Sequence, residues 1–207
     1  MLNNLIERYP NLSCIKDDIK TASDMWIKCY EDGGKLLICG NGGSCSDADH
    51  IVGELMKGFM SLRPLTDDQK KSMKANCQEI NDEWLCQLQR GLPAISLNGA
   101  QALNSAFCND VNPELVFAQQ LMGFGNKNDI LVCISTSGNS KNVYAAAVTA
   151  KALGITVISL TGKNGGKLKG VSDVCICAPE TETYKVQELH LPIYHYLCAE
   201  TEKRFFG

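Results

Sequence analysis

Only three histidines occur in 207 residues, and no two of the eleven cysteines stand in a C-x-x-C pair. That spacing excludes a zinc ribbon and a thioredoxin-like redox centre. No block of Lys and Arg forms a stripe able to neutralise a phosphate backbone, and the formal net charge is -3, so nucleic-acid binding is not expected. The longest apolar runs have strand length, far short of the roughly 20 residues of a membrane helix, so no membrane partner is expected either. The opening stretch "MLNNLIERYP" lacks the basic start and apolar core of a secretory signal. The expectation is a cytoplasmic chain with reduced thiols.

What is present is a chain of 44% hydrophobic residues, enough for one sizeable core, so residues 1–207 are expected to form one domain. Five apolar runs stand out: "KLLICG" (35–40), "PAISL" (93–97), "DILVCIS" (129–135), "TVISLTG" (156–162) and "DVCICAP" (173–179). They do not alternate with polar residues, which is the pattern of parallel strands covered on both faces. The stretches between them read as helices, clearest in the Ala-rich "NVYAAAVTAKALG" (142–154), so the fold class is α/β. Ile15, Ile19, Ala22, Trp26 and Cys29 recur at helical spacing before the first run, predicting a long amphipathic helix whose apolar face needs a partner. Residues 61–92 carry Met73, Cys77, Ile80, Trp84 and Leu88 at helical spacing, predicting one extra helix. Cys175 and Cys177 within the last run read as small buried filler.

The stretch "GNGGSCSDADH" (40–50) follows the first run. It fails the dinucleotide fingerprint because Cys45 stands where the third glycine is needed, and neither it nor "TGKNGGKL" (161–168) has the order of a P-loop. A glycine turn leaving the C-terminal end of a parallel strand and opening a helix still presents free N–H groups to an anion or a sugar. A turn that binds nothing is the alternative. A second loop, "STSGNS" (135–140), occupies the same place after the third run, and its Ser135, Thr136, Ser137 and Ser140 offer four hydroxyls beside a helix N-terminus. That set suits a phosphate monoester, and ordinary capping accounts for only one or two of them.

His50 and Glu54 are four apart in a helical stretch, so they share one face and can serve one metal ion or one reacting carbon. Gln187 and His195 lie eight apart in "VQELHLPIYH" (186–195). On a straight helix that is a rise of about 12 Å, which strains a shared site unless Pro192 bends the helix or a second subunit completes it. On spacing alone His195 reads as a core or interface histidine.

Taken together, "CGNGGSCSDADHIVGEL", "CND" (108–110), "ISTSGNSKNV", "VISLTGKNGGKLKG" and "VQELHLPIYH" resemble the sugar isomerase (SIS) domain proteins, and among them the phosphoheptose isomerases. The likeness runs from about Lys35 to the C-terminus apart from residues 61–92. It implies a flavodoxin-like three-layer αβα sandwich with a five-stranded parallel sheet. It also implies N-terminal helices (1–32) that build a homotetramer with active sites between subunits, and a helical insertion at 61–92.

The resemblance further implies that Ser135, Thr136, Ser137 and Ser140 hold a phosphosugar's phosphate, with Asn41, Gly42, Ser44, Asp110 and Gln187 against the sugar. Glu54 and His195 are then the acid and base, and His50, Glu54, Gln187 and His195 bind a zinc ion. The implied reaction converts sedoheptulose 7-phosphate to D-glycero-D-manno-heptose 7-phosphate through an enediol, the first step toward nucleotide-activated heptose for bacterial surface glycans. The alternatives are isomerisation of another phosphosugar, or phosphosugar binding without turnover. Relatives that only bind lack the Glu and the last His, both present here. Lys57-Gly58 replaces the family's usual Gly-Arg, and Tyr184 stands where some members carry an Asp.

Overall fold

The computed structural model describes residues 1–207. In chain order the elements are α1 (Leu2–Arg8), α2 (Lys16–Glu31), β1 (Leu36–Gly40), α3 (Gly43–Met56), α4 (Asp67–Asn76), α5 (Asp82–Gln87) and β2 (Ala94–Ser96). There follow α6 (Gln101–Asp110), α7 (Val116–Phe124), β3 (Ile130–Ser135), α8 (Lys141–Ala152), β4 (Thr156–Thr161), β5 (Val174–Cys177) and α9 (Thr183–Phe206). Each strand lies within one of the five apolar runs. All pair in parallel in the order β2-β1-β3-β4-β5, the flavodoxin-like doubly wound arrangement. No helix is long and apolar enough to cross a membrane.

The apolar runs do not alternate because both faces of the sheet are covered. Leu36, Ile38, Ile130, Val132 and Ile158 point to one layer, where they pack with Ile19 of α2, Ile51 of α3 and Ile193 of α9. Leu37, Cys39, Leu131, Cys133 and Val157 point to the other, with Leu121 of α7 and Ala146 of α8. The edge strands β2 and β5 are less covered, and β5 bears on the cysteines. Its Val174 and Ile176 are buried, but Cys175 and Cys177 are half-exposed on the less covered face. These two thiols are therefore not the buried filler expected of them.

The N-terminal segment is two helices joined by a 3-10 turn over Pro10–Ile15, because Pro10 interrupts the first helix. The apolar face of α2 finds its partner within the same chain: Ile19, Ala22, Trp26 and Cys29 are buried in the layer that includes α9. Residues 61–92 form two short helices instead of the single one predicted. The helical spacing of Met73, Cys77, Ile80, Trp84 and Leu88 runs on in sequence, but Cys77 is extended (φ -149°, ψ 113°). Asn81 then opens a new helix, its side chain accepting from the Trp84 N–H at 2.8 Å, and the side-chain cap outweighs continuity of the pattern. No residue of α4 is buried, and Trp84 of α5 is 56% exposed.

His190, on the inner face of α9, is fully buried and bonds the Thr161 carbonyl at the end of β4 through Nε2 at 3.1 Å. Nδ1 has no partner. Burial holds the imidazole neutral, lowering its pKa from 6.5 to about 4 against a smaller opposing contribution of the Thr161 bond. The unfolded chain takes up this proton first as the pH falls, so the stabilisation is complete above about 6.5 and is lost toward 4. Between pH 7 and 4.5 this group removes roughly 2–3 kcal/mol of folding stability. Urea unfolding should show the loss in the wild type and a correspondingly shallower pH dependence in His190→Gln; equal slopes would refute the assignment.

Candidate active site

Between β1 and β3 the strand order reverses, and at such a switch point the loops leaving the two strands part to form a crevice. The first loop turns at Gly42 (φ +57°) into α3 and buries Ser44 beneath it. The second, 135–140, opens α8. The first loop is tied to the start of α8 by a reciprocal amide pair: Asn41 Nδ2 donates to Asn142 Oδ1 at 2.8 Å, and Asn142 Nδ2 to Asn41 Oδ1 at 3.0 Å. Asn41 is thus a brace between the first loop and α8.

α3 packs against α9. The Gln187 amide lies directly over Gly43, where any Cβ would come within 2.4 Å of its Nε2. Further along, Glu54 meets both imidazoles: its Oε1 is 3.2 Å from His50 Nε2 and 3.2 Å from His195 Nε2. The two rings are 5.2 Å apart at 80°. α9 runs unbroken through Pro192, so His195 reaches the cluster from its own turn. Gln187, about 12 Å earlier along the axis, stays at the start of α3. Three of the four expected ligands converge, and Gln187 stands apart from them.

Two residues that the sequence reading passed over orient this cluster. Tyr194 Oη donates to Asp47 Oδ1 at 3.2 Å and lies 3.0 Å from His50 Nδ1. The phenol has one proton, so with that proton on Asp47 its oxygen accepts from His50 Nδ1–H, and the lone pair of His50 falls on Nε2, facing Glu54. Asp47, three residues before His50 on the same helix face, was within reach of a periodicity argument. Tyr194 was not, because it comes from a helix 144 residues away.

The electrostatics follow from burial. Glu54 is 5% exposed, and desolvation raises its carboxyl pKa against opposing contributions of the Cys198 thiol, His50 and Lys57. His195 is lowered, first by burial and then by the charge of His50. Asp47 is raised by burial, with the Tyr194 bond opposing. Glu54 Oε2 is buried without any partner, and His195 Nε2 makes no hydrogen bond despite its proximity to Oε1. Two imidazole nitrogens and one carboxylate oxygen within 4.8 Å of one another, with lone pairs unspent, form the His2Glu donor set of catalytic zinc sites. The residues fit such an ion.

The hydroxyl loop is not spent on capping α8. Ser140 precedes α8 but makes no side-chain cap; its Oγ is 3.0 Å from Ser135 Oγ. Ser137 Oγ accepts from the Asn139 N–H at 3.1 Å, and Thr136 is half-buried. Capping therefore consumes none of the first, second and fourth hydroxyls. The loop is backed by the turn 162–166: Gly138 (φ +64°) lies against Gly165 and Gly166, the Leu168 N–H donates to the Gly138 carbonyl at 3.1 Å, and the Lys167 N–H donates to Asn139 Oδ1 at 3.1 Å. The "TGKNGGKL" stretch is thus a support for the hydroxyl loop.

The remaining expected residues lie further out. Asp110 ends α6, exposed, its carboxylate bonded to Asn109 at 2.8 Å. Lys57 is exposed beside Gly58, and Tyr184 is 55% exposed on the first turn of α9 with the Lys185 ammonium 5.7 Å from its ring centre.

Known proteins share both sequence and arrangement. The SIS domain family profile matches residues 4–82 and 88–162, so the likeness takes in the N-terminal helices as well as α4. A phosphoheptose isomerase from Helicobacter pylori (strain P12) is 38% identical over 195 residues, 94% of this chain and 88% of the relative. One from Leptospira biflexa is 37% identical over 196 residues, 95% of this chain and 88% of the relative. The solved structure of a phosphoheptose isomerase from Francisella tularensis superposes with a TM-score of 0.78 at 31% identity, covering 95% of this chain and 91% of that one. With these matches and the shared α/β sheet, the chain belongs to the phosphoheptose isomerases of the SIS domain family.

Proposed function

We propose that this protein interconverts sedoheptulose 7-phosphate and D-glycero-D-manno-heptose 7-phosphate through an enediol, supplying heptose for bacterial surface glycans. The observation that carries this reading is the convergence of Glu54 with His50 and His195 at 3.2 Å on α3 and α9, the helix α3 beginning at a crevice whose second wall is a hydroxyl loop. The ketose has its carbonyl at C2. Isomerisation removes a proton from C1, delivers one to C2, and shifts a proton from O1 to O2. Glu54 takes the carbon-bound proton and returns it, and the raised proton affinity of the buried carboxyl favours that task. His195, neutral because burial lowers its pKa, serves the oxygens.

Ser135, Thr136, Ser137 and Ser140 bind the phosphate with the N-terminal amides of α8, while Ser44, Gly42, Asn41, Gln187 and Asp110 face the sugar. Were a zinc ion bound, His50, Glu54 and His195 would hold it, with Gln187, the fourth family position, standing apart at the start of α3, and it would supply Lewis acidity toward the carbonyl. Asp47 and Tyr194 hold His50 in the tautomer that presents Nε2 to it.

The working form in this reading is a cytoplasmic homotetramer of single-domain chains, with 61–92 as a helical excursion between α3 and β2. Eleven free cysteines suit a reducing compartment. A groove of about 390 Å³ lined by Leu5, Tyr9, Phe59, Met60, Leu191 and Tyr196 opens beside His195, and an apolar wall next to the acid/base pair is a natural seat for a second copy. Purified protein should interconvert the two heptose phosphates and prefer them in kcat/KM over shorter phosphoketoses. A chelator should remove most of that activity and added zinc restore it. Sugar-phosphate binding without proton exchange in deuterated water would refute the catalytic reading.

A further inference from the structure

Arg63 is among the largest fully buried side chains in the chain, at 1% exposure, and nothing in the proposed chemistry uses it. Its Nε donates to Glu202 Oε1 at 2.8 Å, Nη1 to the Leu55 carbonyl at 2.6 Å and Nη2 to the Glu54 carbonyl at 3.1 Å. The last two acceptors lie in the final turn of α3, where helix carbonyls lack intrahelical donors. A guanidinium there satisfies them and complements the negative end of the helix dipole.

Glu202, seven residues after His195 on α9, is 1% exposed. Besides Arg63 it accepts the N–H groups of Phe59 (2.8 Å), Met60 (2.7 Å) and Ser61 (3.0 Å). The chain leaving α3 is thus wound around a carboxylate of α9 and returns its arginine to the end of α3. The Phe206 ring closes the assembly, its centre 4.6 Å from the Arg63 guanidinium carbon.

A buried ion pair typically adds little stability over an apolar pair of similar volume, so its value lies in the single arrangement it enforces. The arrangement in question is the placement of α3 relative to α9, and the two helices carry Glu54 and His195 respectively. We propose that the Arg63–Glu202 pair is a positioning device that sets the approach of Glu54 to His195 by locking the end of α3 to α9. This rests on the acid/base roles given above for Glu54 and His195. A guanidinium is required because one planar fork must serve two carbonyls and a carboxylate at once, which a lysine ammonium cannot.

The test is the variant Arg63→Met/Glu202→Gln, which removes both charges together and keeps one oxygen to accept from the Met60 and Ser61 N–H groups. Circular dichroism and thermal melting establish that it folds, and Arg63→Lys is the second route should it not. The expected result in either is a kcat reduced 10- to 100-fold, the scale of a displacement of about 1 Å at a reacting centre, with KM within about twofold because the hydroxyl loop is not touched. The three imidazoles give a resolvable ¹⁵N spectrum, in which the His50 and His195 resonances should shift and that of His190 should not. A folded variant with unchanged kcat and unchanged imidazole resonances overturns the inference, as does a loss of kcat with the resonances of His50 and His195 unmoved. If these resonances shift while the wild type converts no heptose phosphate, the proposed reaction fails and the positioning role stands.

Discussion

Glu54→Gln should lower kcat for sedoheptulose 7-phosphate by a factor of about 10²–10⁴, the usual loss when one acid/base group is removed, while KM changes little. Glutamine keeps the shape that packs between His50 and His195 but cannot accept the carbon-bound proton. The hydroxyls of residues 135–140, proposed above to bind the phosphate, are on another element and keep their contacts. Folding should not suffer: the carboxyl is buried with one oxygen unpartnered, and the burial that raises its pKa is itself a cost of carrying charge there. A thermal melt at neutral pH should show a Tm equal to or above that of the wild type, the pattern of a residue kept for function at some expense of stability. Zinc content measured on the same preparations separates two roles. Loss of turnover with metal retained assigns Glu54 as the base, and loss of both assigns it chiefly as a ligand. Unchanged turnover would remove it from the chemistry, and His195→Ala, expected to be comparably inactive, would then have to be read anew.

The strands were legible because burial on both faces leaves a continuous apolar signature, and a parallel sheet needs that burial. The order of the strands was not in the runs themselves; it came with the resemblance, and the pairing β2-β1-β3-β4-β5 bears it out. Within the site, His50 and Glu54 were legible because they are four apart on one helix. Their meeting with His195 is a contact between two helices far apart in sequence, so local periodicity left His195 a core residue, and only the family motifs placed it.

Tyr194 and Arg63 were missed for the same reason: each acts through partners more than eight residues away or on another helix, and neither forms a pattern in its own segment. Residues 61–92 failed differently. There the apolar spacing was real, but a side-chain cap at Asn81 and an extended Cys77 divided the helix, because spacing reports a face and says little about where a segment ends. The edge cysteines show the complementary limit, since an apolar run reads alike whether one or both faces of its strand are covered.

Gly138→Ala should be the most damaging single-methyl change in the molecule. Gly138 has φ +64°, and a Cβ built there would lie 2.0 Å from the Gly165 oxygen, 2.5 Å from its carbonyl carbon and 2.9 Å from the Gly166 nitrogen. All three are backbone atoms, so no side-chain rotation relieves the clash. A left-handed conformation costs a non-glycine residue about 1–2 kcal/mol, and overpacking typically adds about 1–3 kcal/mol. A total near 3 kcal/mol corresponds to a fall in Tm of roughly 6–12 °C for a chain of this size. The functional effect should be distinct from that of Glu54→Gln. Forcing residues 135–140 away from the turn at 162–166 displaces the Ser135 to Ser140 hydroxyls proposed to hold the phosphate, so KM should rise at least about tenfold while kcat at saturation falls less. Gly123→Ala is the matched control: that glycine is inside α7 with no atom within 4 Å of an added Cβ, and the change should be neutral or stabilise by up to about 1 kcal/mol. Melting curves and steady-state kinetics on the two variants decide the matter. A Gly138→Ala protein with wild-type KM would mean that the hydroxyl loop does not bind the phosphate, whatever its stability.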